Sequence, residues 1–194
     1  MINKSLAALI EANTDLVVST AIKNCHVIGL HSFIVSQYPK IRLFIADDNC
    51  VLREPFDIKN PVLTIHKHKH NDVFIPLTKT KLTHHLYKLT TEHNDNSISF
   101  SMINYSRLDA DIGTHLIGSE WLDYIESKSL YYMDTGQYHT VSINGCDKCA
   151  WLVLEMGTNN SFDNISYGGL PISHECYSKF DDPLTYVRDY LGSL

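Results

Sequence analysis

The chain has 194 residues, with 16 Lys+Arg against 22 Asp+Glu and a formal net charge of −6. That balance argues against a nucleic-acid or anionic-membrane binder, whose phosphate contacts need a basic excess. A hydrophobic content of 44% with only 9 Gly and 6 Pro excludes a disordered or low-complexity chain, and the length suits one domain.

In chain order, residues 1–24 read as a helical N-terminal extension. Leu6, Leu9 and Ile10 make one apolar face, and Asn13-Thr14-Asp15 offers a cap before Leu16, Val17 and Ile22. Glu11 interrupts the apolar stretch from Leu6 to Ile10, so no secretory signal is expected, and no run approaches the roughly 18 apolar residues of a membrane span. After Asn24 the texture changes to short β-type runs: His26–Tyr38, Ile41–Ala46, Pro61–His70, Asp72–Leu77, Leu82–Leu89, Ser97–Tyr105, Tyr138–Ile143 and Ala150–Glu155. Turn signals separate them, among them Asp47-Asp48-Asn49, Lys59-Asn60-Pro61, Asn94-Asp95-Asn96 and Asn144-Gly145. Such a series predicts a sandwich or barrel over about residues 25–180. The segment 109–130 is mixed. Residues 181–194 predict a C-terminal helix, with Asp181 or Asp182 as cap, Pro183 in the first turn and a stripe of Leu184, Val187 and Leu191. No repeat or linker divides the chain, so residues 1–194 are expected to form a single domain.

The placement of the 11 histidines is the most informative feature. If the run from Val62 to Asp72 is one extended strand, period-two alternation puts Thr64, His66, His68, His70 and Asp72 on one side and Lys67 and Lys69 on the other. Two imidazoles at i and i+2 can aim at one point, as a divalent metal requires. The pair is His66/His68 or, one register further, His68/His70. Asp72 returns to the same face and offers a hard oxygen. Much later, Gly136 precedes by three residues a His139 that opens a strand, with Val141 and Ile143 on its face; this fits a ligand at the mouth of an apolar interior. Two plainer readings compete: a charged strand edge that discourages aggregation, with Leu63 and Ile65 buried instead, and a hydrogen-bonded polar cluster.

An HxH strand with an acidic residue four positions on, followed by Gly-x-x-His at a late strand, resembles the cupin superfamily. The resemblance covers roughly residues 61–155 and implies a mainly-β, cupin-like double-stranded β-helix (jelly roll) with helices at both ends. It implies His66, His68, Asp72 and His139 as metal ligands. Asp72 stands where Glu is usual, Lys79-Thr80-Lys81 replaces the first motif's terminal Gly, and the long separation of the motifs implies extra strands or an insertion. Histidine and carboxylate ligands with open positions suit iron(II) first, with manganese or zinc as the other candidates. The expected function is a metal-binding protein, in its specific form a non-haem iron oxygenase acting on a small polar or thiol-bearing molecule; the alternative is a β-barrel module that binds a small ligand or partner without metal. A homodimer is plausible from the resemblance alone.

The remaining signals are weaker. The odd count of five cysteines (Cys25, Cys50, Cys146, Cys149, Cys176) points to reduced thiols in a cytoplasmic protein. Cys146-x-x-Cys149 is half of a zinc site that His174-x-Cys176 would have to complete. His84 and His85 lie on opposite faces of a strand, so at most one reaches the interior. His26, His31, His93 and His115 read as ordinary polar or loop residues, and Glu155 as a solvated strand end or, less simply, a general base at a barrel mouth.

Overall fold

A computed structural model of the chain describes residues 2–25, 27–53, 65–68, 70–78, 81–92, 98–102, 131–135, 137–144, 148–157, 165–167 and 179–194. Helices α1 (Ile2–Ala12) and α2 (Thr14–Thr20) open it. Ten strands follow: β1 (Leu30–Gln37), β2 (Lys40–Ala46), β3 (Ile65–Lys67), β4 (Asn71–Pro76), β5 (Lys81–Glu92), β6 (Ile98–Met102), β7 (Tyr131–Met133), β8 (Tyr138–Asn144), β9 (Cys149–Met156) and β10 (Ile165–Tyr167). Helix α3 (Pro183–Gly192) ends the series.

The strands form two five-stranded antiparallel sheets, ordered β1-β2-β9-β4-β7 and β10-β3-β8-β5-β6. Their pairing is nested. β2 pairs with β9, β3 with β8, β4 with β7 and β5 with β6. A four-step antiparallel ribbon whose successive steps alternate between sheets is a jelly roll, the double-stranded β-helix. β1 and β10 are added at the outer edges, and β1 continues into β2 as a hairpin. The fold is mainly β and cupin-like, as the strand runs and the motif resemblance imply.

Alternation along the strands builds two cores. On the outer face of the first sheet, Phe33, Leu43, Ile45 and Leu152 are covered by Leu6 and Ile10 of α1, Val17 of α2, and Val187 and Leu191 of α3. Between the sheets, Phe44, Trp151, Phe74, Val153, Leu82 and Ile143 pack together, with Phe44 stacked on Trp151 at 5.3 Å. Each such side chain stabilises the fold by roughly 1.5–3 kcal/mol.

The helix signals hold in part. Asp182 accepts the Thr185 N–H at 3.0 Å and Pro183 occupies the first turn, as expected of a cap. Asn13 does not cap α2: its side-chain amide donates to the Leu9 carbonyl at 2.8 Å and closes α1 instead. Two three-residue strands, β7 and β10, carry no run long enough to announce themselves. The expectation of one continuous strand from Thr64 to Asp72 is corrected. β3 stops at Lys67 in one sheet and β4 begins at Asn71 in the other, so the chain crosses between sheets at residues 68–70.

Candidate metal centre

The register lines up inward-facing residues in rungs. On the first sheet, Lys40, Glu155, Asp72 and Met133 pair side by side across β2, β9, β4 and β7. On the second, His66 lies opposite His139, and His139 opposite Leu86. The next rung holds Arg42, Val153 and Phe74 on one sheet and Val141 and His84 on the other. The third is apolar: Phe44, Trp151 and Pro76 against Ile143 and Leu82. One end of the barrel is therefore polar and charged above a hydrocarbon floor.

Four histidines and a carboxylate meet at that polar end. The ring of His66 is 4.3 Å from that of His139 and 5.0 Å from that of His68, and His68 is 5.1 Å from His139. Each of these three offers one nitrogen, all within 4.8 Å of one another. A second group, His68, His70 and Asp72, meets the same criterion. The crossing at residues 68–70 creates the convergence, because it lets β3 and β4 address the interior from opposite sheets. Thr135 fastens it: its N–H donates to the Asn71 side-chain oxygen at 2.8 Å and its hydroxyl to the His68 carbonyl at 3.2 Å.

Asp72 is 1% exposed and accepts from Nδ1 of His70 at 2.8 Å and from Nδ1 of His68. Burial works to raise its pKa, but the bonds from His68 and His70 outweigh it and hold the carboxyl below its usual value. His139, also 1% exposed, is pushed well below the ordinary histidine value, first by burial and then by the neighbouring imidazoles of His66, His68 and His84. It is neutral at pH 7. Its Nδ1–H points at the Gln137 carbonyl, 3.4 Å away, which leaves Nε2 with its lone pair. His84 lies one rung deeper, its ring 4.4 Å from Phe74 and 5.7 Å from His139, and burial lowers its pKa to about 3.

Of the four residues singled out from the sequence, His66, His68 and His139 form the first group and Asp72 belongs to the second, joined through His68. His70, left as the register alternative, joins the second group. His84 faces the interior and His85 the opposite side, where Nε2 lies 2.7 Å from Ser142 Oγ. His31 is not an ordinary surface residue. It is 1% exposed on the outer face of β1, enclosed by Phe180 and Tyr186, and its Nε2 is 3.1 Å from Asp47. Cys25, Cys50 and Cys149 are buried free thiols. Gly136, Cys146, His174, Cys176, His26, His93, His115 and residues 109–130 lie outside the described residues.

Glu155 is a functional candidate that the sequence reading undervalued. Its side chain is 11% exposed, with Oε2 2.6 Å from Lys40 Nζ and 3.4 Å from His70 Nε2, and Oε1 3.5 Å from Arg42 Nε. The alternation Trp151, Val153, Glu155 along β9 was the available signal.

No protein-family model matches the chain, and neither does any curated protein. Among solved structures, a chain from the crystal structures of DMSP lyases RdDddP and RnDddQII is similar, at 12% identity and a TM-score of 0.34. The match covers 70% of this chain and 51% of that one, so this chain spans about half its length. Among the described residues, no helix is long and apolar enough to cross a membrane.

Proposed function

We propose that this jelly roll binds a divalent metal, iron(II) in preference to manganese or zinc, through His66, His68, His139 and Asp72, and uses it to act on a small polar molecule. The observation that supports this reading is the placing of His66 directly opposite His139 on neighbouring strands, with the His68 nitrogen within 4.8 Å of both. Nitrogens around one cation sit roughly 3–3.5 Å apart for bonds of about 2.1 Å, so small ring rotations close the group. The donor set fits: three imidazoles, of which His139 is held in its neutral form by burial, with a buried ionised carboxylate alongside suit a first-row divalent ion with open positions. Such an ion, when bound, supplies Lewis acidity and, as iron(II), reactivity toward oxygen; an oxygenase is the specific form of this proposal.

The chain's own residues prepare the site. His70 bridges Asp72 and Glu155 and fixes the carboxylate's direction, and the Gln137 carbonyl sets the His139 tautomer. Phe44, Trp151, Phe74 and Val153 exclude water from below. One observation favours a second reading, a binding module without metal: Asp72 already accepts hydrogen bonds from two imidazoles and needs no ion to be satisfied.

Elemental analysis of untagged protein separates the two. The expected result is about one metal per chain, lost in both His66→Ala and His139→Ala. Metal-free wild-type protein that also fails to take up iron(II), manganese or zinc supports the binding module.

A further inference from the structure

We infer that Lys40 and Arg42 form a carboxylate-recognition subsite beside the proposed metal centre, so that the substrate is a small organic acid. The inference rests on that metal reading for the reacting end of the molecule and on separate residues for the other end.

β2 places both cations on its inward face, because Lys40 and Arg42 continue the alternation that puts Phe44 and Ala46 in the core between the sheets. A charged pair in this position is costly unless it is neutralised. Glu155 is the carboxylate that meets both, at 2.6 Å and 3.5 Å, and it is shared with His70. The Asp72 carboxylate on the same rung is engaged by His68 and His70. The donors of Lys40 and Arg42 are incompletely used. Arg42 directs Nη1 to Ser32 Oγ at 3.2 Å and Nε to Glu155, and among the described residues Nη2 has no partner. Among the described residues the Lys40 ammonium, with three N–H groups, meets the one carboxylate of Glu155, and its side chain is 35% exposed, so solutes reach it. Ser32 holds the guanidinium on one side while Phe44 lies below it, 6.0 Å from Cζ to the ring centre.

The geometry also sets the length of the acid. β9 separates β2 from β4, so the backbones that carry Lys40 and Asp72 are about 10 Å apart at two strand spacings. Side chains from both strands close part of that gap, as the contacts from Lys40 through Glu155 and His70 to Asp72 show. An acid with its carboxylate three to five bonds from the reacting group spans the remainder. Such a ligand accepts from Lys40 Nζ and Arg42 Nη2, while its other end meets the histidine group.

The test uses glutarate as the probe and its neutral diamide, glutaramide, as the control. Both are titrated calorimetrically at fixed ionic strength into the full chain, its metal content measured in parallel, and into Lys40→Met, Lys40→Arg and His66→Ala. Wild-type protein is expected to bind glutarate at least tenfold more tightly than glutaramide. Lys40→Met should lose at least tenfold in glutarate affinity with unchanged metal content, and Lys40→Arg should stay within about threefold of wild type. His66→Ala should lose metal yet keep the preference for the acid over the amide. Equal binding of acid and amide, no binding of either, or unaltered binding by Lys40→Met overturns the subsite. A metal-free wild type that still prefers glutarate overturns the metal reading alone and leaves the subsite standing.

Discussion

Two buried histidine environments in this molecule use the same side chain to opposite ends. On the outer face of β1, His31 has both ring nitrogens engaged: Asn24 N–H donates to Nδ1 at 3.1 Å, and Nε2–H donates to Asp47. Aromatic rings of Phe180 and Tyr186 enclose it edge-on. At the barrel mouth, His66 and His68 from the β3 segment and His139 from β8 turn nitrogens toward each other. The first arrangement is closed and holds α3 and the loop at Asp47 to the sheet. The second concentrates lone pairs in one place, which costs solvation and brings no packing gain. Burial alone therefore does not mark a ligand histidine; convergence does.

The sharpest way to break this contrast is to exchange the roles by mutation. His139→Ala should lower metal affinity by at least about a hundredfold, with His31→Ala unchanged in metal content, both read by competition against a chromophoric chelator. Equal loss in the two variants would mean that fold stability, and not ligation, governs binding.

A pH titration reads the buried imidazoles of both environments together, because burial depresses His84 and His139 as it does His31 and His85. Burial lowers the pKa of His85 to about 4 from 6.5 and moves His31 in the same direction against the pull of Asp47. Between those values the unfolded chain binds a proton that the folded chain does not. This stability is fully present above pH 6.5 and is lost as pH falls toward 4, by about 3 kcal/mol at most for His85. Denaturant melts of metal-free protein should show the decline, and His85→Gln should reduce it by the His85 share, with His84 and His139 supplying much of the rest.

His31→Ala should cost about 2 kcal/mol in urea unfolding, because it strands the half-buried Asn24 N–H and leaves a gap beneath Phe180. The smallest expected effect is the most discriminating for the site. His70→Ala should reduce metal affinity about tenfold, as a partner of Asp72 would. A loss as large as that of His139→Ala would assign His70 as a ligand and select the His68/His70 register.

Much of this architecture is legible in the sequence, for identifiable reasons. Strand runs such as Ile41–Ala46 and Ala150–Glu155 are almost continuously apolar because one side meets the helices and the other the barrel interior. His66, His68 and His139 stand out because their spacing survives whatever the chain does between them. The crossing from β3 to β4 does not stand out: polar residues continue through it, and period-two counting extends the strand past its real end at Lys67. Lys40 and Arg42 escape notice, and Glu155 reads first as a solvated strand end, because a charged residue near a strand end looks solvated until the register is known. His31 escapes for a different reason. What buries it is Phe180 and Tyr186, near the far end of the chain, and no local pattern reports on them.

The nested pairing of β3 with β8 has a consequence for how a cation would be captured. His66 and His139 lie far apart in the chain and become neighbours only when β3 pairs with β8, so an unfolded chain does not bring their imidazoles together. Any ion taken up would recognise the finished barrel almost exclusively. Metal supply would then act on the folding equilibrium by mass action, and scarcity would be felt as lowered abundance of the protein.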